Sequence, residues 1–266
     1  MSSVIAKYNR RADQVQSLLC VGLDSDFERL PGRFRQAELP QFAFNRWIIE
    51  ETHPYASAYK ANIAFYEAQG EEGIRALERT AAYLREHHPD ILTICDAKRA
   101  DIGSTNRGYV TAIFDRMGFD AVTLNPYLGR EALMPFLERQ DKGCIILCRT
   151  SNPGEGEFQD LRIGDKPLWQ IVAEHVSREW DTYGNCMLVV GATYPDELKR
   201  IRSLAGEMTL LVPGIGAQGG DVEQTVRAGL NAQGKGLIIN SSRGIIFADD
   251  PAEAARTLRD AINACR

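Results

Sequence analysis

Short apolar runs alternate along this chain with longer segments whose apolar residues recur at helical spacing. The runs predict eight strands: Leu18–Asp24, Ala56–Asn62, Ile91–Lys98, Asp120–Asn125, Gly143–Ser151, Cys186–Gly191, Met208–Pro213 and Gly236–Ser241. The segments between them predict helices at Gln41–His53, Gly70–His88, Thr105–Met117, Gly129–Gln140, Pro167–Tyr183, Pro195–Leu204, Gly220–Gly229 and Pro251–Ala264. A further helix, Val4–Gln16, precedes the first strand and is expected to cap the bottom of the fold. Pro167, Pro195 and Pro251 fall at or near first-turn positions, and Asp250 is the expected N-cap of the last helix.

Strict alternation of strand and helix implies parallel strands joined by crossover helices. Eight such units in 266 residues predict an α/β fold, a closed (β/α)8 TIM barrel, as one domain spanning residues 1–266. An open doubly wound sheet is the alternative. It calls for a glycine-rich turn after the first strand, and Val21-Gly22-Leu23-Asp24-Ser25-Asp26 has no Gly-x-Gly-x-x-Gly. The segment Asp24–Pro40, with two prolines and mixed charge, reads as a long first loop.

Composition narrows the classes. The chain is 44% hydrophobic and 25% charged, as ordinary globular proteins are. Its net charge of −5 gives no electrostatic case for nucleic acid or an anionic membrane surface. No apolar run is long enough to span a bilayer, and Met1–Gln16 has no signal-peptide core, so a cytoplasmic protein is expected. Five of the six cysteines (Cys20, Cys95, Cys144, Cys148 and Cys186) fall in strand-like runs, as buried free thiols do. There is no Cys-x-x-Cys, and the four histidines lie in helical or loop segments, so no metal site is expected.

In a barrel, polar residues at the C-terminal ends of strands nominate the active site. The first strand ends at Asp24, and the second holds Lys60 and Asn62 two residues apart. The third ends Asp96-Ala97-Lys98, with Asp101 just beyond. On a regular strand, Asp96 and Lys98 would project side by side, with Cα atoms roughly 6.6 Å apart. A row of alternating charge reads either as a self-compensating ion-pair network at the rim or as a lysine aimed for proton delivery to carbon. Asp24 by position alone reads equally as a site residue or as a plain capping or loop residue. The fifth strand ends Arg149-Thr150-Ser151-Asn152-Pro153-Gly154. The seventh runs into Pro213-Gly214-Ile215-Gly216-Ala217-Gln218-Gly219-Gly220, and the eighth into Ser241-Ser242-Arg243-Gly244. Glycines that let several N–H groups face one anion, a helix starting near Gly220 and the Arg243 guanidinium together predict a phosphate site.

The run Asp96-Ala97-Lys98-Arg99-Ala100-Asp101-Ile102-Gly103-Ser104-Thr105 resembles the Asp-x-Lys-x-x-Asp signature of orotidine 5′-phosphate decarboxylases. The Pro213–Gly220 loop and Ser242-Arg243-Gly244 resemble that family's phosphate-binding loops, and the length and long first loop suit its second, larger, mainly bacterial class. The resemblance implies cofactor-free decarboxylation of orotidine 5′-monophosphate to UMP and CO2, the last step of de novo UMP synthesis. It implies that Lys98 protonates pyrimidine C6 and that Asp96 sits against the departing carboxylate. Lys60 would complete the charged row and Asp24 would hold a ribose hydroxyl. Ser151 would contact the pyrimidine, and Gln218 and Arg243 the phosphate. Asp101 and Thr105 would reach into the partner's site, making a homodimer with shared active sites. Ala100 stands where this class usually has Gly, which a negative φ accommodates. No role carries over to Asn62.

Two other functions fit a phosphate-binding barrel. A Mg-dependent keto-sugar-phosphate decarboxylase would need carboxylates around the ion, yet the second strand ends in Lys60 where a second acidic ligand is wanted. A non-catalytic phosphate-ligand-binding barrel would need the rim but not Lys98.

Overall fold

The apolar runs become strands because both of their faces are covered, one by the barrel interior and one by the helices. The structure, a computed structural model, describes residues 3–215 and 221–266. Its strands are β1 Leu19–Gly22, β2 Ala58–Asn62, β3 Leu92–Arg99, β4 Ala121–Leu124, β5 Gly143–Arg149, β6 Arg162–Ile163, β7 Lys166–Pro167, β8 Cys186–Val190, β9 Leu210–Pro213 and β10 Leu237–Ser241. The barrel closes in the order β1-β10-β9-β8-β5-β4-β3-β2, with every neighbouring pair parallel. This is the expected (β/α)8 barrel, each predicted run forming one barrel strand. The strands β6 and β7 form a small antiparallel hairpin in the loop after β5, which the sequence pattern did not reveal.

The predicted helices form with end shifts of a few residues. The helix expected at Thr105–Met117 begins earlier, at Gly103, and after Val110 widens into a π-turn over Thr111–Arg116. The helix expected from Gly220 begins at Val222, behind Asp221 as N-cap. Asp250 and Pro251 start the last helix as expected, the Asp250 carboxylate accepting the Glu253 N–H. The first loop carries two single turns, Phe27–Arg29 and Gly32–Arg35.

The helix Val4–Val15 closes the bottom of the barrel. Tyr8 donates to the Leu237 carbonyl at the start of β10 (2.6 Å), and Arg11 donates to the carbonyls of His53 and Ala56 beside the start of β2. Asp24, Lys60, Asn62, Asp96, Lys98, Ser151 and Arg243, from the C-terminal strand ends and the loops after them, line one cavity at the opposite end. The five strand cysteines are buried and unbridged, as expected.

One strand departs from regularity. The pairs Ile94↔Ala121 and Cys95↔Val122 join β3 to β4 in step, and then the register jumps to Arg99↔Leu124. Asp96, Ala97 and Lys98 therefore stand opposite Thr123 alone. Lys98 takes up the excess with φ +47°, in the left-handed region. The expected even spacing of Asp96 and Lys98 along a regular strand is thus corrected: the two sit in a bulge. Ala100 has no positive φ, so its methyl group is accommodated.

Candidate active site

The strand ends β1, β2, β3 and β4 build one charged wall. Lys60, on β2, is buried with its side chain 5% exposed, and its Nζ lies 3.0 Å from Asp96 Oδ2 and 3.6 Å from Asp24 Oδ1. Lys98 Nζ donates to Asp96 Oδ1 at 2.7 Å, and the Lys98 side chain is 49% exposed. The row therefore runs Asp24–Lys60–Asp96–Lys98, with a sunken lysine between the two carboxylates and an accessible lysine at its end. Thr123, on β4, donates its hydroxyl to Asp96 Oδ1 (2.9 Å) and accepts the Lys98 backbone N–H (2.9 Å). Asn62 donates its backbone N–H to Asp24 Oδ1, while its own side chain accepts the Ala64 N–H.

The charge states follow from this packing. Burial works against the Lys60 ammonium, but Asp24 and Asp96 overcome it and hold its pKa above the ordinary lysine range. Burial alone would raise the Asp96 pKa, and Lys60 with Lys98 instead holds that carboxyl well below the usual range. Asp96 is thus a fixed anion at neutral pH. A carboxyl with a depressed folded-state pKa stabilises the fold above its unfolded value of about 3.9, and that contribution is lost as the pH falls. Replacing Asp96 with Asn should therefore destabilise the protein more at pH 6.5 than at pH 3.5. For one carboxylate the gap should narrow by roughly 0.7 kcal/mol. Urea unfolding of both proteins at the two pH values measures it, and a gap that widens on acidification contradicts the assignment.

A cavity of about 320 Å³ opens above this wall. Its floor and near side are Asp24, Lys60, Asn62, Asp96, Lys98 and Thr123. Its far side, from β5, β8, β9 and the residues just past β9, is largely apolar: Leu147, Val189, Leu211, Pro213 and Ile215. Ser151 and Arg243 line it from the loops after β5 and β10. Two glycines bring those loops close. A Cβ on Gly22 would lie 2.7 Å from the Cβ of Ser242, whose hydroxyl donates to the Gly22 carbonyl at 3.0 Å, so the loop carrying Arg243 is drawn onto the end of β1. A Cβ on Gly191 would lie 2.7 Å from the Cβ of Ser151, which seats the Ser151 loop against the end of β8 in the same way.

Not every nominated residue joins this cluster. Arg149 turns into a buried network, paired with Glu197 (3.0 Å) and Asp160 (3.1 Å) and stacked over the Tyr194 ring at 4.3 Å. It anchors the loop after β5 instead of facing the cavity. The helix after β9 begins at Val222, with the Asp221 carboxylate accepting the Gln224 N–H (2.7 Å) at the end expected to offer its positive charge. Gln218 lies outside the described residues, as does the glycine run around it. Asp101 and Thr105 are not among the residues lining the cavity. Asn106 grips the Asp101 turn, its Oδ1 accepting the Asp101 N–H and its Nδ2 donating to the Asp101 and Ala132 carbonyls. Next to Asp101, Ile102 is exposed, as is Thr105 in the first turn of the helix that follows.

Thr123 is the residue that sequence reasoning passed over. A threonine inside Ala121-Val122-Thr123-Leu124 is ordinary strand composition, and only the register shift puts it under Lys98.

A half-exposed lysine bonded to a fixed carboxylate, next to an apolar slot with an arginine at its rim, suits a flat, anionic, phosphorylated ligand that loses charge or gains a proton at the Asp96–Lys98 end. Comparison with known proteins points the same way. Residues 17–258 match the model of the family described as orotidine 5′-phosphate decarboxylase / HUMPS. The orotidine 5′-phosphate decarboxylase of Cellvibrio japonicus (strain Ueda107) is 48% identical over 259 residues, covering 94% of each chain. The one from Azoarcus sp. (strain BH72) is 48% identical over 260 residues, covering 95% of this chain and 96% of its own. Among solved structures, the OMP decarboxylase of Leishmania donovani superposes with a TM-score of 0.89 at 41% identity, covering 99% of both chains.

Proposed function

The chain belongs to the orotidine 5′-phosphate decarboxylase / HUMPS family, and we propose on that premise that it converts orotidine 5′-monophosphate to UMP and CO2, with Lys98 as the proton donor to C6. The observation that carries the mechanism is the accessible Lys98 ammonium bonded to the fixed Asp96 anion at the edge of the cavity.

The pyrimidine lies in the slot between the apolar far wall and the charged near wall, with Ser151 on its polar edge. Its C6 carboxylate points at Asp96. As the C6–CO2 bond breaks, its electron pair remains on C6. The Lys98 ammonium offsets that charge and then transfers its proton to C6, and the lysine is reprotonated from water. No group in the chain acts as an electron sink, so the rate comes from charges set in place before the substrate arrives. Asp24 and Lys60 hold the ribose side, and Arg243 with Gln218 holds the phosphate. Binding energy gathered at the phosphate, remote from C6, is spent on seating the carboxylate against Asp96.

The catalytic unit is a cytoplasmic homodimer in which Asp101 and Thr105 complete the partner's site. The exposure of Ile102 and Thr105, and the absence of Asp101 and Thr105 from the lining of their own chain's cavity, support this reading. No described helix is long and apolar enough to cross a membrane.

The test is the loss of orotidine 5′-monophosphate absorbance on adding the purified protein, with and without excess EDTA. Turnover that survives EDTA supports the reading. Turnover abolished by EDTA and restored by Mg²⁺ favours a metal-dependent decarboxylase, and tight UMP binding without turnover favours a phosphate-ligand-binding protein. Replacing Arg243 with Ala should weaken UMP binding by roughly 10- to 150-fold, the equivalent of about 1.5–3 kcal/mol for one charge-assisted bond. Uridine binding should change little. Calorimetric titration with both ligands measures this, and equal losses would remove Arg243 from the phosphate.

A further inference from the structure

We propose that Thr123 is a positioning residue for the decarboxylation, the hydroxyl that aims Lys98 by holding the bulge at the end of β3. The inference rests on the assignment of Lys98 as proton donor.

In a regular ladder Asp96 would face Thr123, and Lys98 would lie beyond it. Here three residues of β3 stand opposite one of β4. Fitting them requires Lys98 to adopt φ +47°, a conformation that a β-carbon disfavours. Such a conformation persists only where its surroundings hold it. The contact that holds it is the Lys98 N–H to Thr123 Oγ1 bond, 2.9 Å long. The same oxygen spends its own proton on Asp96 Oδ1, 2.9 Å away. Asp96 Oδ1 in turn accepts Lys98 Nζ at 2.7 Å. One buried hydroxyl thus fixes the backbone of the lysine and the carboxylate that its ammonium pairs with.

The arrangement has a directional consequence. Because the hydroxyl proton goes to Asp96, its lone pairs are left for the Lys98 N–H, and Asp96 Oδ1 serves as an unprotonated acceptor. Lys60 keeps Asp96 in that state from its other oxygen, at 3.0 Å. Thr123 therefore links the buried half of the charged row to the exposed half. Its side chain is itself buried, with the residue 1% exposed, so water does not readily replace the hydroxyl. Valine keeps the shape of threonine and removes both bonds, whereas serine keeps both bonds and removes a methyl group.

The experiment compares Thr123→Val, Thr123→Ser and Lys98→Ala with the parent in steady-state decarboxylation and UMP titration. Thr123→Val should lower kcat by about 10- to 100-fold, as expected when an aimed proton donor loses its support. Its UMP affinity and its KM should stay within about threefold of the parent, because the ribose and phosphate contacts are untouched. Thr123→Ser should return kcat to within about threefold of the parent. A parent-like kcat in Thr123→Val with an inactive Lys98→Ala overturns the role of Thr123 alone. A Thr123→Ser variant as impaired as Thr123→Val also overturns it, by showing that packing of the methyl group is what matters. An active Lys98→Ala variant overturns the assignment of Lys98 and this proposal with it.

Discussion

Replacing Lys98 with Ala lowers the turnover of orotidine 5′-monophosphate by at least about 10⁴-fold while the barrel and its UMP affinity are retained. Two contributions are lost together. A positioned general acid is worth about 10²–10⁴ in rate, and a preorganised charge facing the developing anion about 10²–10³. They act on the same carbon through the same ammonium, so they do not multiply cleanly. The fold survives because the Lys98 side chain is half-exposed. Asp96 also keeps two donors without it, Lys60 Nζ on one oxygen and the Thr123 hydroxyl on the other. Lys60→Ala is the instructive contrast. That lysine is buried between Asp24 and Asp96, and removing it leaves two carboxylates facing each other without a cation between them, so its loss damages the fold as well as the rate. The Lys98 experiment requires a single-turnover absorbance assay, a thermal melt and a UMP titration on the same preparation. Near-normal turnover in a folded, UMP-binding variant would take Lys98 out of the mechanism.

Mixing two inactive variants restores activity. Lys98→Ala and Asp101→Ala are each expected to be dead as homodimers, because each lesion falls in both sites. If a site draws Lys98 from one chain and Asp101 from the other, a mixed dimer has one site with both residues and one with neither. Random exchange makes about half of the dimers mixed, so activity should recover to about a quarter of the parent value. If both residues came from the same chain, every site would keep one lesion and mixing would restore nothing. Subunit exchange is followed separately with tagged chains, so silence after proven exchange sinks the shared site and leaves the role of Lys98 standing. Asn106, fully buried, bonds the Asp101 backbone twice and the Ala132 carbonyl once, and the Asp101 carboxylate accepts only the Ile102 N–H, at 2.6 Å, among the described residues.

Much of this molecule was legible in its sequence because the signals involved are local. Each barrel strand is an apolar run buried on two faces, and each helix an amphipathic segment between runs, so the (β/α)8 order follows from periodicity alone. Asp96 and Lys98 stood out because charge at the end of a buried run is costly to keep. Ser151 and Arg243 stood out by lying where barrels put their sites. Arg149 misled for the same reason. Its position at a strand end is right, but its partners Glu197 and Asp160 come from other segments, and they turn it away from the cavity.

What the tertiary structure alone decided is the geometry between strands. Periodicity along β3 predicts a regular alternation through Lys98. The partner strand overrides it, since the register with β4 jumps and three residues meet Thr123. No residue within β3 announces that jump, because register depends on pairing with residues more than twenty positions away. The same holds for Asn106 under the Asp101 turn and for the glycine-permitted contacts of Gly22 with Ser242 and Gly191 with Ser151. The sequence by itself determined which runs form the barrel strands and where the charges stand at their ends. The folded barrel determined which of those charges meet, because contact distances are set by neighbours in space and not by neighbours in the chain.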